Sequence, residues 1–290
     1  MSSGKKIVTF STRIRKYIVN PKPVTMKFTI TLQALEKNAV LPINYQYPLS
    51  SWIYKVLEHG DPVLAQLLHQ EGYAEGKRRY KFYSFSELRT VQHRIERDRL
   101  ILLHPEIHFS IHFLAEQAAQ VMVMGLFKES GSFFLGDKIS GARFALRSIQ
   151  MDMLPPLGES IDLFTVSPVV VSTIIDTPEG KLSREYLRPF DEAYAPQIIA
   201  NLERKFAAAQ TAGLISGETG TPQFELLSNE AKEKKIDLMP GTPQYTRVRG
   251  YKYRFRLHGS QELLKLALLA GVGEKNAMGF GGVELAKSRA

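Results

Sequence analysis

The 290-residue chain carries 38 Lys and Arg against 29 Asp and Glu, 44% hydrophobic residues and no cysteine, which excludes a disulfide framework, Cys-ligated zinc, iron–sulfur clusters and thiol catalysis. No apolar run approaches the ~20 residues needed to cross a bilayer, so the expectation is a soluble, cytoplasmic protein with no membrane partner and one large or two ordinary domains. The net charge of +9 is uneven: residues 1–25 hold six basic and no acidic residues, the remainder is nearly balanced at +3, and an anionic partner must therefore be met by local clusters.

The basic leader, residues 1–25, lacks the apolar core and cleavage site of a secretory signal and reads as a cloning remnant or the result of an upstream start. Lys27–Gln33 then alternates, with Phe28, Ile30 and Leu32 on one face, and predicts a half-buried strand. Ser50 or Ser51 is placed to cap a helix presenting Trp52, Ile53, Val56 and Leu57. Gly60 interrupts it, Asp61-Pro62 restarts it as N-cap and first helical residue, and Gly72 ends it. Lys77–Ser86 is basic and then strand-like, Ile107–Phe113 alternates, Ala115–Leu126 is helical, and Phe144–Met153 closes this half as a strand.

The order then repeats. Leu163–Ser172 is strand-like, with Ser167-Pro168 marking an edge or a bulge. Asp191–Ala209 is a helix burying Ile198, Ile199, Leu202 and Phe206, and Ala212–Thr221 reads as a mobile insertion rich in Gly, Thr and Ser. Lys235–Met239 and Tyr245–Leu257 are strands, Gln261–Ala270 a helix, and Gly282–Leu285 a last strand. Two successive β-α-β-β-α-β halves, 26–155 and 156–290, predict an α+β protein of two tandem ferredoxin-like domains.

Three segments carry candidate chemistry. Gly271-Val-Gly-Glu-Lys-Asn-Ala-Met-Gly-Phe-Gly281 suits either an anion-binding nest helped by Lys275 and Asn276 or an ordinary tight connection. It follows a helix and precedes a strand, so it is not a dinucleotide fingerprint, and no Gly-Lys-Ser/Thr makes it a P-loop. On the strand from Gly250, Tyr251, Tyr253, Phe255 and Leu257 share one face while Lys252, Arg254, Arg256 and His258 share the other. Same-face neighbours stand ~6.6 Å apart, near the phosphate spacing of an extended nucleic acid. Arg247 and Arg249 have the opposite parity, which a bulge at Gly250 would correct; a solvated sheet face is the alternative. Lys77, Arg78, Arg79 and Lys81 form a second basic cluster. Among the histidines no pair has metal-ligand spacing, and His108 and His112 fall on the polar face of a strand. His69 ends a helix just before the basic cluster, where the helix dipole favours its protonated form; a structural helix-end histidine is the alternative.

Together these segments resemble one family. The terminal glycine segment is similar to the GhGxxxxxGhG loop (h hydrophobic) of the CRISPR repeat-processing endoribonucleases, the sixth family of Cas proteins. The opening strand, Tyr45-Gln-Tyr-Pro-Leu, Trp52-Ile-Tyr-Lys and Leu67-Leu-His-Gln-Glu71 resemble its first domain, Lys81-Phe-Tyr-Ser-Phe-Ser86 its second strand, and Thr165-Val-Ser-Pro168 the start of its second domain. The resemblance implies tandem ferredoxin-like domains that bind CRISPR repeat RNA, as precursor and as product, and cut it without metal or cofactor. The ribose 2′-hydroxyl attacks its own phosphate and leaves a 2′,3′-cyclic phosphate and a 5′-hydroxyl. It further implies that Tyr54, His69 and Lys81 match a catalytic set found in part of the family. An imidazole, with an ordinary pKa of ~6.5, serves as acid or base. Lys81 would stabilise the phosphorane and Tyr54 would orient a proton, with Lys77 as the alternative cation. Gly271, Gly273, Gly279 and Gly281 would shape the loop meeting RNA, beside Lys275 and Asn276. Lys77, Arg78, Arg79, Arg247, Arg249, Lys252, Arg254 and Arg256 would bind its backbone. Other implied partners are Cas proteins of an interference complex, with this chain a monomer or homodimer. A non-cleaving relative that holds guide RNA fits the same motifs, and a small-molecule phosphate-binding protein is a third reading.

Overall fold

The fold is that of a computed structural model describing residues 26–286 apart from 130, 177–179 and 181; the basic leader lies outside the described residues. In the first half the alternating segments form an antiparallel sheet. Met26–Ala34 sits at its centre between Gly141–Asp152 and Glu106–Phe113, with Ser132–Gly136 and Tyr83–Phe85 outside them. Helices Gln46–Gly60 and Glu116–Lys128 bury Trp52, Ile53, Val56 and Met122 against Phe28, Ile30, Ile107, Phe109 and Ile111. The two helices approach closely because their crossing is made of glycine: a Cβ on Gly125 would lie 1.8 Å from the Val56 carbonyl oxygen.

The second half repeats the plan. Ser160–Thr165 and Arg254–His258 are central, Gln223–Leu226 and Val283–Leu285 lie outside, and helices Tyr194–Thr211 and Gln261–Ala270 pack Ile198, Leu202, Phe206, Leu263 and Leu264 on Leu163, Phe255 and Leu257. Both halves are β-α-β-β-α-β units in the same strand order, so the fold is two tandem ferredoxin-like units. Among the described residues no helix is long and apolar enough to cross a membrane.

Several local expectations shift. The first helix begins at Gln46, before Ser50, with no side-chain cap; Pro48 falls in the first turn, where a missing N–H costs nothing. Ser50 Oγ donates instead to the Ala277 carbonyl at 2.7 Å. Asp61 caps as expected, accepting from the amides of Val63 and Leu64 at 2.9 and 3.1 Å. The strand expected over Leu163–Ser172 ends at Thr165. Val169 makes only an isolated bridge to Tyr251, and pairing resumes at Ser172–Asp176. The strand expected over Tyr245–Leu257 is two strands. Thr246–Lys252 pairs with Lys232–Leu238, and Arg254–His258 joins the four-stranded sheet. No register slip occurs at Gly250; Gly250 and Tyr251 are both buried, because Gly250 lies against Pro168, Val169 and Val170, and this reverses the exposed parity.

Polar groups form one part of the contact between the halves. His112 is not on a solvated face: the Gln261–Ala270 helix covers it, and its Nδ1–H donates to the Leu268 carbonyl at 2.9 Å. Burial pushes its pKa down to about 4. Beside it Ser110 donates to Glu284 at 2.8 Å, and Lys27 stands 3.2 Å from the same carboxylate.

Candidate active site and nucleic-acid interface

The helical segment begun at Asp61 ends in an unusual way. Leu67–Glu71 widens into a π turn, closed by the Gly72 amide donating to the Leu67 carbonyl at 2.7 Å, a geometry frequent at functional sites. Gly72 takes φ 59° and lies so close to Tyr80 that a Cβ would come within 2.8 Å of its carbonyl oxygen. The turn buries Leu68 and leaves His69 exposed, its ring 4.5 Å from that of Tyr54 at 44°. The chain then reverses in a hairpin, Tyr73–Glu75 with Arg78–Tyr80, carrying exposed Lys77 in its turn. The Tyr73–Tyr80 rung brings Lys81 out level with Gly72, three residues after His69.

The hairpin is anchored across the molecule. Tyr73 and Tyr80 stack on Phe82 at 5.0 and 5.8 Å, and Phe82 is buried in the core of the second half. Of the three catalytic candidates, the structure thus brings Tyr54 and His69 into contact. Lys81 lies past the hairpin in the wall of a cleft that neither ring lines. Burial lowers the pKa of the Lys81 ammonium.

That cleft, about 550 Å³, opens between the basic hairpin, the Ser172–Asp176 and Leu182–Tyr186 hairpin, the Tyr194–Thr211 helix and the glycine loop. Arg78, Arg79, Lys81, Arg184, Arg204 and Lys275 line it, with Glu274 as the acidic residue. Glu274 is occupied: it accepts from the Ser172 hydroxyl at 2.7 Å and from Arg184 at 3.0 Å. The cleft is therefore strongly positive. Arg184 and Arg204 escaped sequence reasoning because isolated arginines on a polar strand and a helix read as solvated surface. Among the described residues no group of three His, Asp or Glu stands close enough to share a metal.

The glycine loop shapes one wall from beneath. Gly271, Gly273, Gly279 and Gly281 are all buried with φ between 66 and 87°. A Cβ on Gly281 would lie 1.9 Å from the Val272 carbonyl oxygen, and one on Gly273 would lie 2.4 Å from that of Val170. Several loop amides are committed inward: Val272 to the Gly281 carbonyl, Glu274 to Val170, and Gly281 to Pro168. Asn276 turns inward too, its Nδ2 donating to the Val272 and Phe280 carbonyls at 2.9 and 3.1 Å. Lys275 is the residue left to meet an anion, half-buried in the cleft wall with a pKa lowered by burial.

The arginine strand differs from the expected free positive track. Arg247 lies 2.7 Å from Asp237, Arg249 3.0 Å from Glu233, Lys252 2.5 Å from Glu87 and Arg256 2.6 Å from Asp162. The pairing follows from register, since Asp237 and Asp162 stand directly opposite Arg247 and Arg256. Among the described residues Arg254 has no carboxylate partner within 4 Å.

Tandem ferredoxin-like halves, with a glycine-rich loop and a basic cleft where they meet, define the architectural class. Two family models cover the chain in succession: the N-terminal part of the CRISPR-associated protein Cas6 over residues 40–150, and its C-terminal part over residues 154–285. The chain belongs to the Cas6 family. It is 26% identical over 257 residues to the CRISPR-associated endoribonuclease Cas6 1 of Methanocaldococcus jannaschii, covering 89% of this chain and 91% of that protein. It is 25% identical over 264 residues to the CRISPR-associated endoribonuclease Cas6 of Pyrococcus furiosus, covering 90% of each. The solved structure of a Cas6-related gene product from Pyrococcus furiosus superposes with a TM-score of 0.74 at 24% identity, over 91% of this chain and 100% of that one.

Proposed function

We propose that this protein is a metal-independent endoribonuclease that binds the repeat of precursor CRISPR RNA and cuts it once. The observation that carries the reading is the contact between Tyr54 and exposed His69, one turn from a hairpin whose cations open onto the basic cleft. The names of the relatives from Methanocaldococcus jannaschii and Pyrococcus furiosus support it. The ribose O2′ loses its proton to a base and attacks the adjacent phosphorus. The P–O5′ bond then breaks, and O5′ takes a proton. His69 serves as the acid or base and Tyr54 orients it, while Lys81 neutralises charge building on the non-bridging oxygens. The products are a 2′,3′-cyclic phosphate and a 5′-hydroxyl. The halves 26–155 and 156–290 act as the two domains that grip the RNA.

The test is single-turnover cleavage of the host repeat RNA in EDTA, with and without a 2′-deoxy nucleotide at the cut. Discrete cleavage to a cyclic phosphate with ribose and none with deoxyribose is expected. Loss of activity in EDTA, or cutting of the deoxy substrate, overturns the mechanism. Tight binding without cleavage makes the protein a guide-RNA-holding subunit.

The charge distribution adds an expectation for affinity. Arg78→Ala or Lys275→Ala is expected to weaken binding and to reduce the slope of log K against log salt by about 0.7 for each phosphate no longer neutralised. Arg256→Ala, whose side chain already holds Asp162, is expected to change the slope by less than about 0.2. Equal slopes for all three, read by filter binding across a salt series, would move the RNA path onto the strand.

A further inference from the structure

Lys205 lies on the Tyr194–Thr211 helix at the spacing of its core residues Ile198, Leu202 and Ala209, and it is only 2% exposed. A buried ammonium is costly unless every N–H finds an acceptor. Here the acceptors come from one place. Nζ donates to the Gly271 carbonyl at 2.7 Å, the Gly273 carbonyl at 3.0 Å and Asn276 Oδ1 at 2.7 Å. Three donors meet three acceptors, all in the glycine loop. Through Asn276 the clamp extends to the Val272 and Phe280 carbonyls, so both limbs of the loop are tied to one helical side chain.

We propose that Lys205 is a positioning residue that clamps the glycine loop in the shape presenting Lys275 to RNA, an inference resting on the reading above. It does not touch the reacting atoms; it acts through the loop. The stoichiometry gives the clamp a pH dependence. Burial pushes the Lys205 pKa down to about 7, with Glu274 opposing. The neutral amine has two N–H groups for three acceptors, so one loop acceptor goes unpaired as pH rises through that value. The charged groups around it are Arg204 on its own helix, Arg184 paired with Glu274 on the neighbouring hairpin and loop, Lys275 on the loop, and Lys81 from the first half. Lys81 and Lys275 also have lowered pKa values, so the clamp must be isolated by substitution.

The experiment compares wild type, Lys205→Met, Lys205→Arg, Lys275→Ala and the Lys205→Met/Lys275→Ala double variant. Amide hydrogen exchange is measured on the free proteins, and affinity with 2′-deoxy repeat RNA. Lys205→Met is expected to speed exchange at Val272, Glu274 and Gly281 by about tenfold or more while the Arg254–His258 strand keeps its protection. It should weaken RNA binding by about tenfold, and the double variant should bind no worse than the weaker single one, because one residue acts through the other. Lys205→Arg, charged at every working pH, should show a smaller fall in affinity above neutral pH than is expected of wild type, keeping only the part that Lys275 and Lys81 contribute. Unchanged loop protection in Lys205→Met, or fully additive losses in the double variant, overturns the proposal. Should Lys205→Met fail to fold, Asn276→Ala removes one acceptor and is expected to give the same loop signature, with normal loop exchange overturning the clamp. If wild type binds no repeat RNA, the functional reading falls, while hydrogen exchange still decides the clamp.

Discussion

His69→Ala is expected to slow single-turnover cleavage of repeat RNA by about 10²–10⁴-fold, the usual worth of a positioned acid or base. Affinity for the 2′-deoxy substrate should stay within about threefold of wild type, because the side chain stabilises the transition state rather than the bound ground state. Its surroundings support that separation. His69 is exposed on its π turn, and the fold around it is held by Leu68, the Leu67–Gly72 closure and the glycine itself. Truncation removes only the packing against the Tyr54 ring, worth ~0.5–1.5 kcal/mol. Tyr54→Phe keeps that packing and removes the hydroxyl, so a smaller loss, about tenfold, is expected if the phenol only orients the imidazole. Rapid-quench rates and filter binding on the same preparations check both. An alanine variant that cuts at the wild-type rate returns His69 to the role of an ordinary helix-end histidine.

The fold was legible wherever the signal was local. Phe28, Ile30 and Leu32, like Ile107, Phe109 and Ile111, alternate because one face of each strand lies under helices, and Asp61-Pro62 starts a helix as capping chemistry requires. Legibility failed where a distant segment supplied the partner. His112 sits at a polar-face position, yet a helix about 150 residues later covers it. Arg247 and Arg256 looked like free charge because the carboxylates opposite them come from other strands. Lys205 falls on the core face of its helix by spacing, yet what satisfies it there is not legible locally, since its three acceptors lie 66 to 71 residues away in a loop whose shape depends on glycines at positive φ. The helix start at Gln46 left no trace because no side chain caps it.

The candidate site divides in the same way. Tyr54 and His69 belong to successive helical segments, and their proximity follows from a chain that turns at Gly60 and resumes at Asp61. The cleft does not belong to either half. It needs the hairpin of the first half held by Phe82 in the core of the second, and only then do Arg78 and Arg79 face Arg204 and Lys275. A basic run in a sequence fixes charge, but the surface it shares is set by tertiary anchoring.

That anchoring makes Lys81 the second residue whose loss should be severe. Lys81→Ala is expected to lower the saturating single-turnover rate by about 10²–10³-fold, as removal of a preorganised donor to a developing oxyanion does. The Tyr73–Tyr80 rung fixes its backbone level with Gly72, and partial burial in the cleft wall strips solvent that would otherwise screen its charge. The same burial lowers its pKa, because water no longer stabilises the ammonium. The working form is the cation, so the Lys81 contribution is complete below its depressed pKa and is lost as pH rises through it, giving an alkaline limb at lower pH than an ordinary lysine would show. Lys81→Arg should carry that alkaline limb upward, since a guanidinium stays charged, although its planar fork meets the phosphorane differently and lowers the plateau. Rates from neutral to alkaline pH on the ribose substrate, with binding measured on the 2′-deoxy substrate, separate this from a simple loss of affinity. An unchanged limb in Lys81→Arg together with near-normal cutting by Lys81→Ala would transfer the role to Lys77 at the hairpin turn. Lys77→Ala would then show the large loss, since Lys77 is the exposed cation at that turn.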